Sequence, residues 1–141
     1  MTDLSKTDFE EGLERYKQGE KAEDLIVHFK EICNHSPKYA IAWTCLAWLY
    51  LLADKPYQAL KAAKKSVKID SKSPQGRINL ALAMLECDEK GVRSHIEAAK
   101  QVMSLDQETY QEVLENIEDG LNRKPDWKNL KNIEKWLSLA N

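Results

Sequence analysis

AIAWTCLAWLYLLADKPYQALKAAKKSVKID, from Ala40 to Asp70, holds two tryptophans, a tyrosine and a leucine cluster, then turns at a proline into alanines and lysines. Its apolar run from Ile41 to Ala53 is 13 residues long, short of the roughly 20 that cross a bilayer as a helix. It reads as a buried helix. Pro56 then suits the first turn of a second helix, which carries Leu60, Ala63, Val67 and Ile69 at helical spacing. Leu46 and Ala47 recur 34 residues on as Leu80 and Ala81, and Ile69-Asp70 recurs as Leu105-Asp106 after a two-residue insertion. A unit of two helices repeated at that period predicts stacked helix pairs.

The flanking sequence supplies the other helices. Thr7, Asp8, Phe9 and Glu10 have the form of a capping box, with Gly19 ending the helix they start. Leu25, Ile26, Phe29 and Ile32 mark a second helix from about Lys21 to Asn34, stopped by Pro37. Ser73 and Pro74 open a fifth helix, and the turn from Asp88 to Gly91 separates it from a sixth ending near Leu105. Tyr110, Val113, Leu114, Ile117 and Leu121 predict a seventh, closed by the segment Gly120 to Pro125. Asp126 is placed to cap an eighth, with Trp127, Leu130, Ile133 and Leu137 on one face. No segment alternates with period two over a useful length, so no sheet is expected.

Trp43, Leu46, Ala47 and Tyr50, followed by Ala59 and Ala63, resemble the tetratricopeptide-repeat family, whose pattern is W-x2-L-G-x2-Y, then small residues, then Pro. Ser71 replaces the usual proline. An earlier unit offers Phe9, Gly12, Leu13, Tyr16, Phe29 and Pro37, and in a later, degenerate one Arg77 and Met84 stand in the Trp and Tyr positions. The resemblance implies an all-α, right-handed solenoid of three helix-turn-helix pairs plus two C-terminal helices. One domain is expected over residues 1–141, with repeats 6–39, 40–73 and 74–109 and capping helices in 110–141. Trp43, Leu46, Tyr50, Leu60, Ala63, Leu80 and Ala81 are the expected core. The short link Asn122 to Pro125 favours helix eight lying against helix seven as a cap on the third repeat rather than returning to the groove.

In that family the first helix of each repeat lines a concave groove that binds a peptide or helix. Carried onto this chain, the groove comprises Glu10 and Glu14 from the first repeat, Ile41, Thr44, Cys45, Trp48 and Leu52 from the second, and Ile78, Asn79 and Leu82 from the third. It is apolar with one acidic end. Two readings of Trp48 stand side by side: an anchor for a partner, or ordinary core covered by the last helices through Trp127 and Trp136. The family's best-known ligands are the acidic C-terminal tails of heat-shock chaperones, held by Lys, Asn and Arg. At the matching positions this chain has Glu10, Glu14, Cys45, Gln75 and Asn79, which predicts that such tails are not held.

Composition narrows the remaining choices. Twenty-one Lys and Arg against 23 Asp and Glu give a net charge of -2, so no global field draws the chain to nucleic acid or anionic membrane. Lys61, Lys64, Lys65, Lys68 and Lys72 form a local stripe, read as a solvated helix face with nucleic-acid binding as the alternative. Cys33, Cys45 and Cys87 are odd in number and lack C-x-x-C spacing, which indicates neither a disulfide framework nor a zinc site. His28, Cys33 and His35 fit no standard metal spacing. The acidic, polar start MTDLSKTDFEEG has no secretory pattern, so a cytoplasmic protein is expected. No phosphate loop, nucleophile motif or telling acid pair is present. The reading is therefore a non-catalytic protein-interaction module without cofactor or metal, an adaptor or assembly or co-chaperone-like factor, with a self-associating structural module as an alternative.

Overall fold

The structure is a computed structural model and describes residues 3–138. Among these residues the chain forms eight α-helices and no strand. They are α1 (Asp3–Lys17), α2 (Ala22–His35), α3 (Ala40–Leu52), α4 (Pro56–Ile69), α5 (Pro74–Glu86), α6 (Val92–Met103), α7 (Gln107–Arg123) and α8 (Lys128–Ser138). Each of α1 to α6 packs on its neighbour in sequence, and α3 also touches α5. The expected helical solenoid is the observed one.

The repeat is written in the backbone as well as in the side chains. Gly19, Asp54 and Asp88, which follow α1, α3 and α5, all have left-handed φ angles, of 87°, 59° and 57°. After each of these helices the same pair of bonds closes the end: Glu20 N to Arg15 O, Lys55 N to Tyr50 O and Glu89 N to Met84 O, at 3.2, 2.8 and 2.8 Å, each with a second bond one residue inward. This is the Schellman closure, which satisfies carbonyls that a helix end leaves unbonded. Three identical closures give α1, α3 and α5 equivalent exits.

Helices α3 and α5 are buried over most of their surface. From α3, Ala42, Leu46, Ala47, Leu49 and Leu51 are covered; from α5, Ile78 to Met84 without a break. Burial of that extent marks inner helices. The small residues Ala47, Ala59, Ala63 and Ala81 are fully buried, which lets helix axes approach closely. Of the expected core, Leu46, Leu60, Ala63, Leu80 and Ala81 are buried, while Trp43 and Tyr50 are half-buried and pack against it. Ser73 caps α5 by accepting from Gly76 N at 3.1 Å, as its position before Pro74 suggests.

Three helix boundaries differ from the sequence reading. Helix α8 starts at Lys128, so Asp126 lies in the turn before it rather than at its cap. Thr7 lies inside α1, which already runs from Asp3. Gly120 lies inside α7, which continues to Arg123. A Cβ at Gly120 would meet the Trp48 ring at 2.7 Å and Leu130 at 2.8 Å, so this glycine serves close packing rather than helix termination. Helix α8 sits on α5, α6 and α7 and buries Leu130, Ile133 and Leu137. That is the cap position. None of the helices is long and apolar enough to cross a membrane among the described residues.

Candidate functional site

Helices α1, α3 and α5 line one side of the stack, and α7 lies across it. Between them is a cavity of about 390 Å³ floored by Leu13, Phe29, Cys45 and Leu49 and rimmed by Asn79 and Asn116. Trp48 forms its boundary. The residue is 8% exposed, its ring tilted against that of Trp127 with centroids 5.6 Å apart and backed by Gly120. Of the two readings of Trp48, the structure places it in the core beneath α7 and Trp127, while Trp136 takes no part, being 37% exposed beside Val92 and Ile96 of α6.

A polar cluster fixes α7 in this position. The Trp48 indole N–H donates to the Tyr16 hydroxyl at 2.9 Å, and that hydroxyl donates to the Asp119 carboxylate. Burial, and then the bond to Asp119, pushes the Tyr16 phenol above its usual range, so it remains a donor at neutral pH. The Arg123 guanidinium lies 3.9 Å from the centre of the Tyr16 ring and is 3.3 Å from Asp119. It also donates to the carbonyls of Tyr16 at 2.8 Å and Glu20 at 3.4 Å. Lys124 does the same for α3, donating to Leu51 O at 3.4 Å and pairing with Asp54 at 2.5 Å. Cations are thus placed at the C-terminal, electronegative ends of α1 and α3. Asn129 completes the row by donating to Glu86 at the end of α5, at 2.5 Å.

On the other side of Trp48 the rim is an amide chain. Asn116 donates to Gln75 at 3.0 Å, Gln75 to Asn79 at 2.8 Å, and Asn79 to the carbonyl of Thr44 at 2.9 Å. The Thr44 hydroxyl is bonded to that of Ser66 at 2.5 Å. Asn79 is fully buried, so these bonds satisfy a side chain that would otherwise destabilise the interior. They also tie α3, α4, α5 and α7 together beside the cavity.

The residues expected from the sequence divide into three groups. Thr44, Cys45, Trp48 and Asn79 line the cavity. Ile78 and Leu82 are fully buried; these two are core rather than groove, because α5 is covered by α7 and α8 as well as by α3 and α6. Ile41 is 50% exposed, Glu10 and Glu14 are exposed and Leu52 is half-buried, all off the cavity wall. Asp119 and Arg123, four residues apart on α7, were not expected at the site. Their spacing was visible, but their partners on α1 lie about a hundred positions away.

The helices beside the cavity, α1 and α7, carry acids outside its wall, whose own charged groups are Lys17, Asp119 and Arg123. Glu10 and Glu14 share a face of α1 with Leu13 and Lys17, and Glu112 and Glu115 lie one turn before Asn116 and Asp119 on α7; all four glutamates are exposed. Lys17 and Arg123 are the cations of the wall, and Arg123 is held by α1. Burial pushes the thiols of Cys33 and Cys45 up to about 12, which keeps both protonated and unreactive at neutral pH. His28 is bonded through Nε2 to the carbonyl of Asp8 at 2.6 Å. His95 faces Arg77 at 2.9 Å, and burial followed by that charge lowers its pKa.

No family model matches the sequence, and no curated protein sequence matches it. Solved structures do match. The first tetratricopeptide domain of Spaghetti (RPAP3), solved with the HSP90 peptide SRMEEVD, is 18% identical over 96% of this chain and 91% of its own, with a TM-score of 0.58. The Arabidopsis OM64 tetratricopeptide domain is 18% identical over 99% and 98%, at 0.59. The MamA protein is 17% identical over 98% and 88%, at 0.64. With the three Schellman closures and the stacked pairs, this likeness shows that the chain has the tetratricopeptide-repeat fold.

Proposed function

We propose that the protein is a non-catalytic interaction module that holds a short peptide in the cavity between α1, α3, α5 and α7, with an apolar residue on the floor and basic residues at the mouth. The observation that carries this reading is an apolar floor, Leu13, Phe29, Cys45 and Leu49, between two helices that carry exposed acids outside the wall, Glu10 and Glu14 on α1 and Glu112 and Glu115 on α7. An apolar pocket with a few polar groups at its edge is the usual form of a binding site, and opposite charge at the rim selects the partner and speeds encounter. RPAP3 and Sgt2 domains of the same fold, the first solved with a bound peptide, support a role in protein interaction. An adaptor or assembly factor of the cytoplasm is the setting that fits.

The test is a selection of peptides from a random display library on the whole protein, followed by titration of the winners and of SRMEEVD. Selected peptides that shift the Trp48 indole N–H signal in NMR are expected to carry an apolar residue flanked by Lys or Arg, and the Glu10→Gln, Glu14→Gln double variant to weaken them several-fold. SRMEEVD is expected not to shift that signal. Binding of that acidic peptide that shifts Trp48, or Trp48-shifting peptides indifferent to a Cys45→Leu variant, would overturn the reading.

A further inference from the structure

A second hollow lies on the other side of α3. It is a pocket of about 570 Å³ between α2 and α4, floored by Trp43, Leu46 and Tyr50. On a helix at 100° per residue, these three lie about 170° around the axis from Thr44, Cys45 and Trp48, so α3 separates two distinct sites. Lys30 from α2 and Lys61 and Lys65 from α4 stand around the pocket, and its lining contains no carboxylate. All three lysines are exposed, and among the described residues none of them makes an ion pair. Lys64, one residue away, faces instead toward Glu89 at 3.7 Å. The Tyr50 hydroxyl takes no protein partner among the described residues, whereas the Trp43 indole N–H is bound to Pro37 O at 2.9 Å.

We propose that this pocket is a second docking site, for an acidic peptide segment that places an apolar or aromatic side chain between Trp43, Leu46 and Tyr50 and carboxylates against Lys30, Lys61 and Lys65. The lysines around this pocket contrast with the exposed glutamates that α1 and α7 carry beside the first cavity, so the two sites favour different partners. Half-buried aromatic rings give such an anchor its contact area, and the Tyr50 hydroxyl is a free polar group at the bottom. The features disfavour a nucleic acid strand. Trp43 and Tyr50 form a recessed floor rather than platforms on which successive bases stack, and the cations are lysines, without the arginine that pairs phosphate bidentately. The net charge of -2 also opposes a long polyanion, while a short acidic segment meets only the local field.

The probes are a labelled 12-residue peptide with a Leu-Trp pair flanked by glutamates, its analogue with lysines in their place, and a U12 RNA. Each is titrated into the whole protein while the indole N–H signals of Trp43 and Trp48 are followed by NMR. The acidic peptide is expected to bind at least tenfold tighter than its lysine analogue and to move Trp43 but not Trp48. A Lys30→Ser, Lys61→Ser, Lys65→Ser variant, changed only at exposed positions, should lose at least tenfold in affinity and keep its helical circular dichroism. Equal binding of the two peptides, or full binding by the triple variant, would overturn the site. Preferential binding of U12, or self-association that the triple variant abolishes, would overturn the occupant.

Discussion

On one side of Trp48 the concave groove is filled by the chain itself; on the other it is a cavity. The filled side is held by close packing and by charge: Gly120 and Trp127 against the indole, and Arg123 and Lys124 at the ends of α1 and α3. The cavity side is bridged by the amide chain from Asn116 to Thr44. The difference teaches how a terminal helix can cap a solenoid without closing it. The C-terminal half of α7 is locked by apolar contact and ion pairs, and its residues Asn116, Asp119 and Arg123 also form a wall of the cavity.

If that division is correct, substitutions on the filled side should act on stability and those at the mouth on binding. The largest effect is expected from Trp48→Ala. It removes a buried ring, its stacking partner contact and its bond to Tyr16, and should destabilise by about 3–5 kcal/mol in urea unfolding. Tyr16→Phe keeps the ring under Arg123 but deprives the Trp48 indole of its acceptor and Asp119 of its donor. A loss of about 1–3 kcal/mol is expected. The same hydroxyl makes the filled side sensitive to alkali. Its pKa is raised on folding, so the folded state binds its proton more tightly than the unfolded chain does, and stability should fall as pH rises above the ordinary tyrosine value of about 10. Tyr16→Phe should flatten that fall.

Smaller effects refine the boundary. Gly120→Ala gains about 1 kcal/mol of helix propensity, but its Cβ overlaps Trp48 and Leu130, and overpacking of that kind costs about 1–3 kcal/mol. A net loss on the order of 1 kcal/mol is expected, and a gain would show that α7 can move off Trp48. Glu14→Gln, at the exposed mouth, should change unfolding free energy by less than about 0.5 kcal/mol while weakening a basic peptide.

The solenoid could be read from the sequence because its determinants are local and repeated. Trp43, Leu46, Ala47 and Tyr50 mark one turn after another of a single helix, and Leu80 and Ala81 repeat two of them. The brevity of the loop before α8 gave its berth for the same reason, as a short link leaves few places to go. The site was less legible because its contacts join distant segments. Tyr16 meets Asp119 and Arg123 from the far end of the chain. Gly120 was misread because a glycine near a helix end signals termination by propensity, whereas here Trp48 demands the missing Cβ. Ile78 and Leu82 looked like groove residues by position, and the cover supplied by α7 and α8 is what makes them core.

The central claim, that α7 is locked at its C-terminal half and forms a looser wall before it, is tested most directly by native-state hydrogen exchange. The indole N–H of Trp48 and the amides from Ile117 to Arg123 should exchange only with global unfolding, while those from Glu112 to Asn116 exchange faster through local opening. Rapid exchange of the Trp48 indole together with uniform fast exchange along α7 would contradict it, and would make the whole groove open.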